Sequence, residues 1–164
     1  MRIKKEFENF INNYAHWIIY IRQNLEFPCP DCYSEISNEG SGLCPTCYGT
    51  GHVITLERIP VRFRRFSLTH DAGLAQGIMS DFDMLVYFKQ TAYPKQTDLV
   101  LEVEWNVPIS SIESQGQPTS IIHVYRLKEL EAYREEELSF FVGGCSIEDS
   151  TKEFLQKTIL STGI

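Results

Sequence analysis

Apolar residues recur at helical spacing over residues 1–14. On one face of a helix, this stretch would carry Ile3, Phe7, Phe10, Ile11 and Tyr14. The pattern therefore predicts an amphipathic helix whose apolar stripe packs on another element. The next segment, 16–22, is rich in β-branched and aromatic residues, which favours a buried strand over a continuation of the helix.

From residue 52 onward, the pattern changes to that of strands. Apolar and polar residues alternate in 61–64 and again near the end of 99–105, as expected of strands with one buried face. The predicted strands are 52–59, 61–67 after Pro60, 84–90, 99–105 and 120–127. An apolar segment follows at 138–142 and is expected to end at Gly143. A C-terminal helix should begin at Ser150, with Glu153 at capping-box spacing.

Four of the five cysteines form two C-x-x-C pairs, Cys29 with Cys32 and Cys44 with Cys47. The two-residue spacing lets one turn present both thiolates to a single ion, and two such turns complete a tetrahedral site. Four thiolates leave no open coordination position, so we expect one structural Zn²⁺ per chain. Four buried thiols or a redox pair is the alternative. Gly49 is expected to supply a backbone N–H to a cysteine sulfur.

These patterns predict a mainly β fold. We expect a small antiparallel β-barrel or sandwich with N- and C-terminal helices and an inserted zinc-knuckle loop. The predicted divisions are 1–25 for the N-terminal helix and strand, 26–51 for the zinc-binding loop, and 52–164 for the β-rich body with its C-terminal helix. The zinc-binding loop has almost no apolar core of its own, so its order should depend on the metal.

The charge balance narrows the classes of partner. A formal charge of -7 at pH 7 argues against general binding to a phosphate backbone, because that binding depends on Lys and Arg. No apolar run approaches the ~18 residues needed to cross a bilayer, and the N-terminal segment is amphipathic without a signal-peptide core. We therefore expect no membrane contact and assembly in a cytoplasm. Cys145, far from the other cysteines, is expected to be a small buried residue.

No phosphate loop, dinucleotide fingerprint or nucleophile elbow occurs in the sequence, and we expect neither an enzyme nor a small-molecule substrate. The histidines are scattered, which disfavours a second metal site: His16, His52, His70 and His123. A nuclease-like metal cluster can be imagined, but solvated carboxylates are the favoured interpretation of Asp81, Asp83, Glu102 and Glu104.

Two stretches concentrate like charge. The basic stretch is interpreted as a solvated strand face, with contact to an acidic partner or to DNA as the alternative; it contains Arg58, Arg62, Arg64 and Arg65. The acidic stretch is too crowded to be buried without partners and should face solvent or an interface; it contains Glu129, Glu131, Glu135, Glu136 and Glu137.

Residues 44–51 match the C-x-x-C-x-G-x-G element of the cysteine-rich domain of Hsp40 co-chaperones. That domain resembles a run of four such elements holding two zinc ions. Here Ser34 and Ile36 replace both glycines in the other cysteine element, and no J-domain helices surround it. The local resemblance therefore does not imply chaperone activity.

A longer stretch resembles the neck proteins of tailed bacteriophages, the connector or head-closure components between portal and tail. The shared order is segment 17–22, two cysteine pairs with Gly-Thr-Gly-His after the second, β-strands, segment 94–101, and a further β-segment. Some of these neck proteins carry a zinc-binding loop on a small β-barrel.

The resemblance implies a structural virion protein that joins the head to the tail. Its partners would be copies of itself in a homo-oligomeric ring and the neighbouring portal, adaptor and tail proteins, with passing contact with genomic DNA. The alternative is a zinc-ribbon module that binds nucleic acid or a transcription complex. The acidic balance and the lack of Lys and Arg within 28–51 disfavour that alternative.

Overall fold

The structure is a computed structural model that describes residues 2–65, 82–135 and 138–163. Its helices are α1 (Arg2–Tyr14), α2 (Ile112–Gln115) and α3 (Lys152–Thr162). Its strands are β1 (His16–Pro28), β2 (His52–Arg65), β3 (Met84–Lys89), β4 (Leu99–Trp105), β5 (Pro118–Glu135) and β6 (Leu138–Ile147). The predicted mainly β composition and both terminal helices are confirmed.

The six strands close into an antiparallel barrel in the order β1, β2, β3, β6, β5, β4. Of the two predicted architectures, barrel and sandwich, the barrel is the one observed. Closure occurs where β1 pairs with β4, over the register from Ile18 opposite Glu102 to Ile21 opposite Leu99. The first strand therefore has a neighbour on each side, which leaves it no open edge along this segment.

The barrel interior is filled by alternate residues from all six strands. Because side chains alternate across a strand, Ile18 and Tyr20 point inward while Ile19 and Ile21 point outward. The interior cluster contains Ile18, Tyr20, Val61, Met84, Val86, Phe88, Val100, Tyr125, Leu127 and Cys145. The expectation that Cys145 is a small buried residue is confirmed, since its exposed fraction is 0%.

The terminal helices cover two different parts of the outer wall. Leu155 and Ile159 of α3 pack on the outward residues of β1, β4 and β5 in a second core cluster. Helix α1 lies against β2 and β6, with Ile11 fully buried and the Phe7 ring 4.9 Å from the Phe140 ring. Phe7 and Ile11 of the predicted apolar stripe thus pack on the barrel, whereas Phe10 is 45% and Tyr14 61% exposed.

A buried carboxylate reinforces the seam between β1 and β4. Asp98, which is fully buried, accepts a hydrogen bond from the Tyr20 hydroxyl at 2.5 Å. Its two oxygens also accept the backbone N–H groups of Gln23 at 2.8 Å and Lys95 at 3.1 Å. Burial and the Asp98 carboxylate together raise the pKa of Tyr20. Three donors thus satisfy a charged group that would otherwise strongly destabilise the folded state.

Several predicted strand boundaries are wrong, and the first of them is that of β1, which continues to Pro28, beyond the predicted 16–22. The strands 52–59 and 61–67 form one strand, β2, that passes through Pro60 opposite Trp17. Proline is tolerated there because pairing of β2 with β3 begins only at Val61, so Pro60 has a strand neighbour on one side alone. Strand β5 begins at Pro118 and ends at Glu135, well beyond the predicted 120–127.

The glycine pair does not end the strand, since β6 continues through it to Ile147. A Cβ on Gly143 would lie 2.3 Å from Leu127 Cδ1, and one on Gly144 would lie 2.8 Å from the Phe82 ring. The glycines therefore allow close packing on both faces of a central strand.

The predicted capping box at the C-terminal helix is also wrong. Helix α3 has Thr151 as its N-cap, with no side-chain capping bond, and follows a 3-10 turn at Asp149–Thr151. Asp149 instead accepts the Val124 N–H and contacts His123 Nδ1, both at 2.9 Å. These two contacts of Asp149, which precedes α3, attach the start of the helix to β5.

Tyr20→Phe tests the role of the Asp98 cluster, because it removes one donor from a fully buried carboxylate. We expect the free energy of unfolding to fall by about 1–3 kcal/mol, measured by urea denaturation. Tyr93→Phe is the matched control, since Tyr93 is 64% exposed. Equal losses in the two variants would show that the seam does not depend on the Tyr20 hydroxyl.

Candidate metal centre

The cysteine pairs lie on an arm formed where β1 and β2 continue past the barrel. At its base, Pro28 pairs with His52, and the Cys29 N–H donates to the Gly51 carbonyl at 2.8 Å. Segment 29–51 therefore leaves the barrel and returns to it at adjacent points. We call this segment the cysteine arm.

The two C-x-x-C pairs meet at one point inside the cysteine arm. The sulfurs of Cys29 and Cys44 are 4.0 Å apart, those of Cys32 and Cys47 are 3.6 Å apart, and all four lie within 4.8 Å of one another. Four sulfurs around a tetrahedral ion with bonds of about 2.3 Å would be about 3.8 Å apart. The spacing fits a single metal ion and is far too long for a disulfide. The four cysteines can therefore hold one metal ion.

Each cysteine pair is folded into a tight turn by its own backbone. In the first turn, the Tyr33 N–H donates to the Cys29 carbonyl at 3.1 Å, and in the second the Gly49 N–H donates to the Cys44 carbonyl at 3.1 Å. The Thr46 hydroxyl donates to the Asp31 carboxylate at 2.5 Å and so ties the two turns together. These bonds fold each cysteine pair into a turn and hold the two turns side by side.

Glycines allow the two halves of the cysteine arm to cross in direct contact. A Cβ on Gly40 would lie 2.3 Å from the Gly51 Cα, and a Cβ on Gly49 would lie 2.3 Å from the Gly42 oxygen. Gly49 and Gly51 also have positive φ values of 77° and 78°. A side chain at Gly49 would therefore meet both a steric clash and an unfavourable backbone conformation.

Backbone N–H groups lower the pKa of Cys44, whereas burial raises the pKa of Cys29 and Cys32. The prediction that the Gly49 N–H donates to a cysteine sulfur is wrong, because that N–H donates to the Cys44 carbonyl. Gly51 takes that role and donates to the Cys47 sulfur at 3.3 Å. The backbone N–H groups of Cys47 and Thr46 lower the pKa of Cys44 to about 7. A lowered pKa favours metal binding, because the thiolate is the ligand.

The residue that the sequence pattern missed is Tyr48. It adopts a left-handed conformation with φ of 50° and packs, partly buried, against the outer core cluster under α3. The cysteine arm is thereby joined to the barrel through a side chain directly after the last ligand. An aromatic residue between Cys47 and Gly49 was the available signal.

The end of the cysteine arm carries apolar side chains in water. Ile36 is 98% exposed and Leu43 is 71% exposed, although both lie in the segment that the cysteines order. Leu25 and Phe27, at the end of β1, are each 56% exposed. The cysteine arm and the end of β1 therefore both expose apolar side chains to solvent.

The other predicted candidates do not form a second site. Within residues 2–65, 82–135 and 138–163, the four arm cysteines are the one group with metal-binding spacing. His16 begins β1, at the opposite end of that strand from the cysteine arm, and His123 contacts Asp149. His52 borders the arm, with its ring 6.1 Å from the Tyr33 ring. His70 lies outside the described residues.

The carboxylates of the imagined nuclease cluster are dispersed, and one is not solvated. Glu102 is 9% exposed and accepts hydrogen bonds from the Tyr125 hydroxyl and the Arg65 guanidinium, both at 3.0 Å. The interpretation of Glu102 as a solvated carboxylate is therefore wrong. Glu104 is exposed and accepts from the Ser120 hydroxyl, and Asp83 accepts the Ile147 N–H. Asp81 lies outside the described residues.

The basic stretch makes contacts within the chain, although Arg64 and Arg65 remain exposed. Arg58 donates to the Ile112 and Gly116 carbonyls and lies over the Trp105 ring. Arg62 donates to the Tyr14 carbonyl and lies over the Phe10 ring. Arg65 pairs with Glu102, and Arg64 also has a partner within the chain. These contacts fix α1 and α2 to the barrel.

The described part of the acidic stretch lies on β5. Glu129 and Glu131 are exposed, as predicted, while the side chains of 135–137 lie outside the described residues. On this strand the carboxylates share one face with Tyr133, because residues two apart point the same way.

Comparison with known proteins gives no family assignment, since neither a protein-family model nor a curated protein sequence matches the chain. Among the helices in the described part of the chain, none combines the length and apolarity needed to cross a membrane.

Replacing Cys44 and Cys47 with serine should abolish metal binding, because the two remaining thiolates cannot complete the site. We expect elemental analysis to give one ion per parent chain and essentially none for the variant. The barrel should keep its circular dichroism spectrum, while the cysteine arm loses order for want of apolar surface. A glutamate-specific protease reports this change, since the arm contains Glu35 and Glu39 but no Lys or Arg.

Cys145→Ala is the control for that experiment, because Cys145 lies in the barrel interior, away from the arm. It should keep its metal and its resistance to cleavage. An unchanged metal content in the Cys44 and Cys47 variant would show that the arm is not a metal centre.

Proposed function

We propose that this protein is a non-enzymatic structural component of a tailed-bacteriophage neck, which joins the head to the tail by assembling as a ring. The order of cysteine pairs, strands and the 94–101 segment resembles such head-closure proteins. In this role the chain would be part of the virion, after assembly in the host cytoplasm.

Zinc is the metal that we propose for the centre. A set of four thiolates within 4.8 Å of one another favours a soft, tetrahedral ion, and zinc is the common occupant of such sites. The ion would have four protein ligands and no position for water or substrate. Its contribution is then to hold the cysteine arm in one shape, which agrees with a structural role.

The observation that carries the proposal is the pair of exposed apolar side chains on that arm. A single cross-link by the metal orders a segment whose tip presents Ile36 at 98% and Leu43 at 71% exposure. An isolated chain gains nothing from ordering apolar groups in water, but an oligomer buries them against a neighbour. Identical copies joined through one such contact close into a ring when the rotation between them permits it.

Binding to nucleic acid receives less support from the structure. The cysteine arm contains no Lys or Arg, and Arg58, Arg62 and Arg65 all make contacts within the chain. A zinc ribbon that contacts phosphate needs cations on its own surface. Binding to nucleic acid is therefore kept as the alternative function, and the assembly experiment below distinguishes it from ring formation.

The assembly role predicts that Ile36→Ser with Leu43→Ser weakens self-association without loss of zinc. Native mass spectrometry should give a homomeric ring with one zinc per chain for the parent, and smaller species for the variant. The matched control is Ile109→Ser with Leu160→Ser, which removes two partly exposed apolar groups elsewhere, at 52% and 36% exposure. The control should assemble as the parent does.

Two results would contradict the role. A parent chain that stays monomeric and binds duplex DNA would favour the zinc-ribbon alternative. A ring that forms equally well in the variant would show that the arm tip is not part of the contact.

A further inference from the structure

Among the described residues, the outer barrel wall contains a groove of about 330 Å³. It is formed by outward residues of β2, β3, β6 and β5, next to the area that α1 covers. We call it the β5 groove. Its lining residues are Arg64, Phe82, Leu85, Tyr87, Glu129, Glu131, Tyr133, Phe140, Val142 and Gly144.

Aromatic rings form the floor of the β5 groove. Tyr133 and Phe140 are cross-strand neighbours whose rings are stacked, with centroids 5.1 Å apart and an interplanar angle of 7°. The Tyr87 and Phe7 rings lie 6.3 Å and 4.9 Å from the Phe140 ring. Tyr133 remains 47% exposed, so this cluster presents an aromatic surface to solvent.

Carboxylates line the β5 side of the same groove. Glu131 accepts the Tyr133 hydroxyl at 2.8 Å, and Glu129 makes no ion pair with any described residue. Arg64 lines the β2 side, and it already has a partner within the chain. The groove therefore combines aromatic faces with two carboxylates and one guanidinium, so its charged side chains are mainly negative. The whole chain is also negative, with a net charge of -7. This chemistry complements a cation, and a flat guanidinium suits both features best.

The edge of β5 determines the form of the ligand. Pairing of β4 with β5 ends at Leu99 opposite Arg126, whereas pairing of β5 with β6 continues to Glu135. Beyond Leu127, the described residues therefore leave one edge of β5 unpaired. An extended segment can add to such an edge by backbone hydrogen bonds, with alternate side chains directed to one face.

We propose that the β5 groove docks an extended, arginine-bearing segment of a different protein. Arginine side chains of the segment lie on Tyr133 and Phe140 and pair with Glu129 and Glu131. The inference deepens the proposed assembly role, since it states the chemistry by which a neighbouring neck protein is recognised.

The probe is a fluorescein-labelled peptide of alternating arginine and threonine, with a citrulline–threonine peptide as its neutral match. Fluorescence anisotropy should detect binding of the arginine peptide to the full chain and little binding of the citrulline peptide. Glu129→Gln with Glu131→Gln should weaken binding by roughly tenfold, and Tyr133→Leu by several-fold. Glu104→Gln with Glu113→Gln alters net charge equally at exposed sites outside the groove and should leave the affinity unchanged.

The other outcomes overturn the proposal. Equal losses in the two glutamine pairs would mean that the peptide responds to net charge alone. Absence of peptide binding, with a groove variant that changes the oligomeric mass, would make a second copy of this chain the occupant. Ring formation is measured separately by native mass, so failure of the ring leaves the peptide result interpretable, and failure of peptide binding leaves the ring result interpretable.

Discussion

Closure of the barrel depends on a short seam, since β1 and β4 share only the register from Ile18 to Ile21. Asp98 lies at the end of that seam with no exposed surface, and three donors hold it there. An unsatisfied buried carboxylate would be strongly unfavourable, so Tyr20, Gln23 and the turn before β4 must all be in place together. The interior cluster and the outer cluster under α3 both include residues of these two strands, and both therefore require the seam.

The cysteine arm extends directly from two strands of the barrel. Its two ends are β1 and β2, which pair from His16 opposite Val61 up to the arm's base. The barrel thus brings Cys29 and Cys47 close together, so that a bound metal would need to order only the turns between them. Tyr48 then returns from the arm to the outer cluster, so the arm's orientation is coupled to the packing of α3. The placement of the arm on the closed barrel therefore depends on its local turns and on the contact of Tyr48 with the outer cluster.

The features that could be predicted from sequence are those that local spacing determines. The helix at Arg2–Tyr14, the four ligands and the start of β2 at His52 depend on neighbouring residues alone. The continuation of β2 through Pro60 depends on where β3 begins, and that of β6 through Gly143 depends on Leu127. Glu102 resembled a solvated carboxylate because its partners, Arg65 and Tyr125, are distant in sequence. These three failures concern contacts across the barrel that no sequence window contains.

The two candidate contact surfaces differ in chemistry, and this difference limits how copies can associate. A ring of identical chains needs two complementary patches on each chain, unless its contacts are isologous. The arm tip is apolar, with Ile36 and Leu43, whereas the β5 groove is acidic at Glu129 and Glu131. Burying an apolar tip against carboxylates would remove their water without providing a counter-charge, which is unfavourable. If both proposals hold, the arm would meet an apolar patch on the next copy, and the β5 groove, with its carboxylates beside aromatic rings, would be left to a basic segment of another protein.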